Sequence, residues 1–264
     1  MASDTAKPGV RVLVTGATSG LGREMALQMA RRGARVALTG RRADKLRDAA
    51  QAVRAADAEA LELLGGVDDP ETVRRHYAEI KDAWGGLDWA ILNAGISEAC
   101  YARAFKAEVV RKTFATNVLG AAHWLEAVIP DMIAAKSGRI AGIASLAGYR
   151  GLPGHGAYSA SKAALIALLE SVRVDLRGTG VSVTTVCPGF VKSELTAKNR
   201  YPMPFLMETR DAVRAVLSGI ERKKRVVSFP WPMAFLMRRV VAHAPDALYE
   251  RLAARSGPMK KADD

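Results

Sequence analysis

Two kinds of segment alternate along the chain, short apolar runs and longer stretches in which apolar and polar positions mix. The short runs, such as Val12-Leu13-Val14 and Val36-Ala37-Leu38, are apolar at every position, which is typical of strands buried on both faces of a sheet. They predict strands at residues 10–14, 34–38, 61–64, 88–92, 139–144, 181–186 and 225–229.

The longer stretches repeat apolar residues every three or four positions, as helices do when one face is buried. They predict helices at residues 21–32, 43–56, from Pro70 onward, 108–115, 118–135, 158–177 and 210–220. Because strands and helices alternate from residue 10, the pattern indicates an α/β fold of the single-domain Rossmann type. Such a fold is a doubly wound parallel sheet with helices on both faces.

The length of the chain is consistent with one domain, since α/β domains often reach 264 residues. We expect a single domain over residues 1–264, with its core at 10–229. The alternation breaks at a flap, residues 190–209, and an apolar and basic C-terminal extension follows at 230–264.

Composition and charge narrow the classes of function. The net charge of +12 attracts anions, such as nucleotide phosphates or acidic lipid headgroups. Basic residues are scattered, and the tightest run, 222–225, has no interleaved aromatic residues, so we do not expect a nucleic-acid partner. Cys100 and Cys187 lack the spacing of a metal site or a disulfide framework, which predicts no metal and a reducing, cytoplasmic location. The chain shows neither a signal peptide nor a run of the ~18 apolar residues that a membrane span needs.

A glycine-rich turn joins the first predicted strand to the first helix. Glycines let the backbone approach a pyrophosphate, and the free N–H groups of a helix N-terminus favour its charge. Although an ordinary βα turn is the alternative, the position in a winding sheet favours a dinucleotide phosphate site. The predicted contacts are Gly16, Thr18, Ser19, Gly20, Leu21 and Gly22.

Four polar residues form a candidate reactive group. Tyr158 and Lys162 lie four positions apart on one predicted helix, and therefore on the same face. A nearby ammonium lowers the pKa of a tyrosine from its usual value of about 10, so that the phenol can exchange a proton with an alcohol oxygen. Ser145, at the end of a strand, could hold a carbonyl oxygen. Asn117, at a predicted helix start, could hold a water that links Lys162 to solvent. Taken singly, each has a structural alternative: a chance helical pair, a loop hydroxyl or a helix cap.

Together these motifs resemble the short-chain dehydrogenase/reductase family, in its compact single-domain branch, over residues 10–196. Residues 15–22 have that family's Thr-Gly-x-x-x-Gly-x-Gly form. The resemblance implies that Tyr158 is the acid/base and that Ser145 orients the carbonyl. It also implies that Lys162 binds the nicotinamide ribose and lowers the pKa of the tyrosine, while Asn117 positions a relay water.

The resemblance extends to further cofactor residues. Its implied contacts, besides Tyr158 and Lys162, are Val67, Asn93, Ala94, Gly95, Pro188, Gly189, Val191 and Ser193. Leu92 and Gly66 depart from the pattern, since many relatives have an asparagine and an aspartate there. The loss at Gly66 puts a hydrogen bond to the adenine in doubt. Residues 65–69, 85–88 and 145–148 are also similar to segments of the microsomal hydroxysteroid dehydrogenases.

The residues after the second strand bear on the choice of cofactor. NAD-dependent relatives place an acidic residue there, whereas this chain has Arg41 and Arg42. Guanidinium groups bind phosphate bidentately, which suits the 2′-phosphate of NADP. We therefore predict NADP(H) in preference to NAD(H), with Arg41 as the main contact. A solvated helix start in an NAD-dependent alcohol dehydrogenase is the alternative. NADP-linked members of the family generally reduce carbonyl groups to alcohols.

Two apolar segments bear on the substrate and partners. The flap carries a group of large apolar side chains: Phe190, Tyr201, Met203, Phe205, Leu206 and Met207. They could form a lid over a bulky hydrophobic substrate, such as a steroid, terpenoid or long-chain ketone, or else a dimer or core contact. The extension places Trp231, Phe235 and Leu236 beside Arg238 and Arg239, which suits an interfacial helix on an anionic membrane. Packing on the subunit, where it would complete the substrate pocket, is the alternative.

The assembly and a second class of function follow from the same features. The resemblance implies a homodimer or homotetramer formed through the helix that carries Tyr158 and Lys162. A lipid-binding protein of the same fold at a membrane surface is the competing function, because the extension alone would be enough for it.

Overall fold

A computed structural model describes residues 9–194, 196–197 and 202–256. Its strands are β1 Arg11–Val14, β2 Arg35–Gly40, β3 Ala60–Leu64, β4 Trp89–Leu92, β5 Gly138–Ile143, β6 Val181–Pro188 and β7 Val226–Phe229. All neighbouring strands pair in parallel, in the order β3-β2-β1-β4-β5-β6-β7. The order reverses direction between β1 and β4, which is where doubly wound sheets bind ligands.

Helices cover both faces of this sheet. They are α1 Gly20–Ala30, α2 Ala43–Arg54, α3 Pro70–Trp84, α4 Ala107–Phe114, α5 Gly120–Ala134, α6 Gly156–Asp175, α7 Thr209–Glu221, α8 Trp231–Phe235 and α9 Asp246–Ser256. Helices α1, α2 and α7 enclose one hydrophobic core, and α3, α5 and α6 enclose the other. The predicted doubly wound α/β fold is confirmed.

The strands are apolar at every position because each of their faces packs against a core. Successive side chains of a strand point to opposite faces. Val12 and Val14 accordingly join the core beneath α1 and α2, while Leu13, between them, joins the core beneath α3 and α5. All three side chains are completely buried.

The structure corrects the prediction that a helix begins at Asn117. Residues 107–134 form one continuous helical segment, in which a single π-helical turn, Ala115–Leu119, joins α4 to α5. Asn117 therefore lies within a helix, and its side chain is buried rather than capping an end. A π turn holds one residue more than an α turn, so it changes the direction of the side chains that it contains.

The C-terminal extension also differs from the single helix expected there. After α8 come a π-helical turn, Leu236–Val240, one 3₁₀ turn, Val241–His243, and then α9, which the sequence pattern did not predict. The extension packs on the subunit, since Ala234 is buried in the core beneath α6. In the described part of the chain, no helix has the length and apolar character needed to cross a membrane.

Candidate active site

A cleft of about 760 Å³ opens at the carboxyl ends of the parallel strands. It contains most of the predicted site residues, from the phosphate loop to the reactive group. Those that line it are Gly16, Thr18, Ser19, Gly20, Leu21, Arg41, Arg42, Val67, Asn93, Ala94, Gly95, Ser145, Tyr158, Lys162, Pro188, Gly189, Val191 and Ser193. Two predicted residues, Gly22 and Asn117, lie behind this lining.

The phosphate loop depends on two glycines. Gly16 has a φ of +66°, and a Cβ there would lie 2.8 Å from the Cα of Ala94. A Cβ on Gly22 would lie 2.3 Å from the carbonyl oxygen of Gly16. Both positions therefore exclude a side chain, and α1 starts directly against the loop with its first N–H groups at the cleft. This narrow, glycine-lined cradle fits the pyrophosphate of a dinucleotide.

Asn93 and Ala94 hold the loop against the end of β4. The backbone N–H groups of Asn93 and Ala94 donate to Thr15 Oγ1 at 2.9 and 3.0 Å. The Asn93 side-chain amide donates to the Thr15 carbonyl oxygen at 2.9 Å. These residues thus position the phosphate loop as well as lining the cleft.

Lys162 is the buried cation of the site. Its side chain is 3% exposed, and Nζ donates to the Ile143 carbonyl oxygen at 2.7 Å. Nζ also lies 5.6 Å from the centre of the Tyr158 ring. Burial lowers the pKa of Lys162 from 10.5 to about 8. A charge in such a poorly solvated place acts strongly on the neighbouring phenol.

Asn117 is held by protein groups on both sides of its amide. Oδ1 accepts from the Ile96 N–H at 2.8 Å, and Nδ2 donates to the Ile96 carbonyl oxygen at 3.0 Å. Nδ2 also donates to Ser161 Oγ at 2.9 Å, and that hydroxyl donates to the Tyr158 carbonyl oxygen at 2.7 Å. Asn117 Oδ1 and Lys162 Nζ each lie 3.3 Å from the point where a Cβ of Gly95 would be. Only a second lone pair of Oδ1 is left for the predicted water.

Ser145 has a structural function in addition to its place in the cleft. Its hydroxyl accepts from the Ala147 N–H at 3.1 Å and so caps the short 3₁₀ turn Leu146–Gly148. The same hydroxyl lies 3.4 Å from the Pro188 carbonyl oxygen, which is a long contact for a hydrogen bond. A ligand oxygen would therefore compete with a weak partner for this hydroxyl proton.

The other end of the cleft is basic, as predicted, but a carboxylate also lies there. Arg42 donates to Thr18 Oγ1 and Ser19 Oγ, both at 2.8 Å, and its Nη1 lies 2.7 Å from Glu194 Oε2. Hydrogen bonds from Lys45 and then Arg42 lower the pKa of Glu194 to about 2. Sequence reasoning missed Glu194 because it lies 152 positions after Arg42 in the chain.

Asp68 is a second lining residue that the sequence did not single out. Its Oδ1 lies 2.4 Å from the point where a Cβ of Gly66 would be. The Cδ of Arg41 lies 3.5 Å from the same point. A carboxylate is therefore present beside the position where many relatives have an aspartate. The signal was available, since Asp68 is only two residues from Gly66.

The flap contributes polar residues to the cleft and leaves large apolar ones outside it. In the first part of the flap, five residues line the cleft: Val191, Ser193, Glu194, Thr196 and Ala197. Phe205 and Leu206 are exposed and do not line it. Tyr201, another residue of the predicted lid, lies outside the described residues.

The C-terminal extension contacts the cleft from behind. A Cβ on Gly189 would lie 2.8 Å from Met233 Sδ, so the extension supports the strand end that carries Pro188 and Gly189. Arg150, five residues after Ser145, donates to Asp246 Oδ1 at 2.6 Å and lies 4.6 Å above the Tyr249 ring. Packing on the subunit is thus observed, although the extension does not line the cleft.

Comparison with known proteins gives the same family as the motifs. A family model described as short chain dehydrogenase matches residues 10–203. An uncharacterized oxidoreductase of Myxococcus xanthus is 50% identical over 246 residues, which are 92% of this chain and 96% of that protein. The ketoacyl reductase HetN of a Nostoc species is 35% identical over 224 residues, 83% of this chain and 78% of the relative.

A solved structure agrees. A short-chain type dehydrogenase/reductase from Mycobacterium marinum has a TM-score of 0.76 at 26% identity, over 84% of this chain and 92% of its own. The family model covers well over half of the chain, with the glycine loop and the Tyr158/Lys162 pair inside the match. The chain therefore belongs to the short-chain dehydrogenase/reductase family, and it is an oxidoreductase that acts between alcohol and carbonyl groups with a nicotinamide cofactor.

Proposed function

We propose that the protein is an NADPH-dependent reductase that converts a carbonyl group of a bulky hydrophobic substrate to an alcohol. The observation that carries the cofactor preference is the basic end of the cleft, where Arg41 and Arg42 follow β2 and both line the cavity. Two guanidinium groups suit a 2′-phosphate, which only NADP(H) has. An acidic residue, which would favour NAD(H), is absent from these two positions.

The reactive group supports the chemistry. The glycine-rich loop at the start of α1 would hold the nicotinamide cofactor, which would supply a hydride for the carbonyl carbon. Tyr158 gives its proton to the carbonyl oxygen, while Lys162 stabilises the phenolate that forms and Ser145 donates a hydrogen bond to the same oxygen. Asn117 holds Ile96 and Ser161 in place, and its free lone pair supports a water that returns a proton toward Lys162.

The substrate class is supported by the exposed apolar side chains of the flap and by one relative. Phe205 and Leu206 of the flap are exposed outside the cleft, so they would contact a hydrophobic substrate only if the flap closes over the site. The relative HetN is named a ketoacyl reductase, which favours a ketone carried by an acyl group. A steroid or terpenoid ketone has similar bulk. Oxidation of an alcohol with NAD is the alternative reaction of the same site.

Location and assembly are also proposals. Two buried cysteines without a disulfide support a cytoplasmic location. Val174, on α6, is 61% exposed, and Leu119, in the π-helical turn between α4 and α5, is 52% exposed. These exposed apolar side chains support a homodimer or homotetramer formed through this surface. The C-terminal extension exposes Trp231 and Phe235, which supports peripheral contact with an anionic membrane as a second function.

The experiment is a fluorescence titration of the full chain with NADPH and with NADH. We expect Arg41→Ala with Arg42→Ala to weaken NADPH binding at least about tenfold more than NADH binding, because the 2′-phosphate loses its charge-assisted hydrogen bonds. Tyr158→Phe is the matched control, since it should abolish most ketone reduction and leave both affinities within about twofold. Equal loss of both cofactors in the arginine variant would exclude the NADPH assignment.

A further inference from the structure

A carboxylate of the flap spans the basic end of the cleft. Glu194 Oε2 lies 2.7 Å from Arg42 Nη1, and Glu194 Oε1 lies 2.5 Å from Lys45 Nζ. The two basic residues belong to the start of α2, about 150 positions earlier in the chain. Both Arg42 and Glu194 line the cavity, so this contact is part of the cleft and not a remote surface ion pair.

The remaining donors of Arg42 face the phosphate loop. Nε and Nη2 donate to Thr18 Oγ1 at 3.2 and 2.8 Å, and Nη2 also donates to Ser19 Oγ at 2.8 Å. A guanidinium binds a phosphate best through two adjacent N–H groups. Glu194 and the loop together occupy four of the five N–H groups of Arg42, so a phosphate gains a second N–H of Arg42 only when one of these partners withdraws.

The Glu194 carboxylate and a phosphate at Arg42 would repel each other. Glu194 is a carboxylate at neutral pH, as glutamates ordinarily are, and hydrogen bonds from Lys45 and Arg42 lower its pKa further. A phosphate placed at the same guanidinium would stand a few ångströms from that carboxylate, and like charges at such distances repel.

We propose that Glu194 is a specificity-determining residue that competes with the 2′-phosphate of NADPH for Arg42 and Lys45. The inference rests on the proposed NADPH preference and refines it. The two arginines favour NADP(H), while Glu194 reduces that preference because it must be displaced by NADP(H) and not by NAD(H). About half of the Glu194 side chain is exposed, so solvent weakens its ion pairs and the effect is modest.

The test uses two fragments that differ by the 2′-phosphate alone. The full chain is titrated by calorimetry with 2′,5′-ADP and with 5′-AMP, as wild type, as Glu194→Gln and as Glu208→Gln. Glu208 pairs with Lys192 at 2.7 Å at the other end of the flap and does not line the cleft, which makes it a matched loss of one negative charge. We expect Glu194→Gln to bind 2′,5′-ADP about three- to tenfold more tightly, with 5′-AMP unchanged and Glu208→Gln like wild type.

Three results would overturn the inference while leaving the NADPH preference intact. They are weaker or unchanged binding of 2′,5′-ADP by Glu194→Gln, an equal gain for both fragments, and an equal gain in Glu208→Gln. Failure of the proposed function looks different, because the wild-type protein would then bind 2′,5′-ADP no more tightly than 5′-AMP. That result, together with no selective gain for 2′,5′-ADP in Glu194→Gln, would overturn both.

Discussion

Lys162 is held in the protein interior at a cost in stability. Its side chain is almost completely buried, and this burial is what lowers its pKa. Desolvation favours the neutral amine, and the difference between 10.5 and about 8 corresponds to about 3 kcal/mol. A methionine of similar length would avoid this cost. The site therefore trades stability for a cation placed against a phenol.

The cost of Lys162 depends on pH, and its sign follows from the pKa of the folded state. Below about pH 8 the lysine is charged in both states, and the folded state bears the full penalty. Between about 8 and 10.5 only the unfolded chain keeps the proton, so stability rises with pH relative to a chain that lacks this lysine. Between pH 7 and pH 10, we expect the unfolding free energy of wild type to rise by about 2 to 3 kcal/mol relative to that of Lys162→Met, measured by urea unfolding.

The control for this measurement is Lys112→Met. Lys112 is exposed on α4, so the unfolding free energy of this variant should differ from wild type by a constant amount over the same pH range. A constant difference for Lys162→Met as well would show that the lysine keeps an ordinary pKa in the folded protein.

At the scale of the elements, one arginine joins the C-terminal extension to the loop that carries Ser145. The Arg150 side chain is 20% exposed, donates to the Ala244 carbonyl oxygen at 3.3 Å and to Asp246, and stacks on Tyr249. Tyr249 in turn donates to the Gly151 carbonyl oxygen. The loop and α9 therefore hold each other in place.

Loss of the Arg150 contacts should loosen α9. We expect Arg150→Met to speed backbone hydrogen exchange in α9 by about tenfold, since charge-assisted hydrogen bonds and a cation–π contact are lost together. Arg239→Met is the control, because Arg239 is exposed on the outer side of the extension. Unchanged exchange of α9 in the Arg150 variant would mean that its packing does not depend on this contact.

The elements that sequence could predict are those determined by local periodicity. Val12, Leu13 and Val14 are apolar in a row, and that alone predicts a strand buried on both faces. Most of the candidate site follows at once, because the carboxyl ends of parallel strands meet at one edge of the sheet. Sequence reasoning thus brought Ser145 and Tyr158 to the same cleft as the glycine loop.

The elements that sequence could not predict depend on contacts between distant positions. The π turn at Asn117 shifts the helical pattern by only one residue, which periodicity does not resolve, and its buried amide is fixed by Ile96 and Ser161. Glu194 and Arg42 meet across 152 positions. The leucines of α9, Leu248 and Leu252, are exposed, so no buried apolar stripe determines its packing, and Arg150 contacts it from a distant loop.

For the whole molecule, the net charge of +12 and the exposed side of the C-terminal extension both favour contact with an anionic surface. Trp231, Phe235, Leu236 and Val240 are 75%, 53%, 50% and 49% exposed, and the first two rings stack with their centres 5.9 Å apart. Exposed Arg239 lies among them. Apolar side chains that can enter the headgroup region, with a cation beside them, are complementary to an anionic bilayer.

Trp231 also reports on its own environment. The other three tryptophans of the chain, Trp84, Trp89 and Trp124, are buried at 7%, 4% and 0% exposure, so a blue shift of emission reports mainly Trp231.

We expect vesicles that contain phosphatidylglycerol to shift the emission and to sediment the protein, more weakly as salt is raised, while phosphatidylcholine vesicles do neither. Trp231→Ser with Phe235→Ser should reduce sedimentation at least about tenfold. Leu64→Ser, which alters a leucine 52% exposed at the end of β3, should leave it unchanged. A blue shift that grows with protein concentration in the absence of vesicles would instead assign this surface to a second copy of the chain.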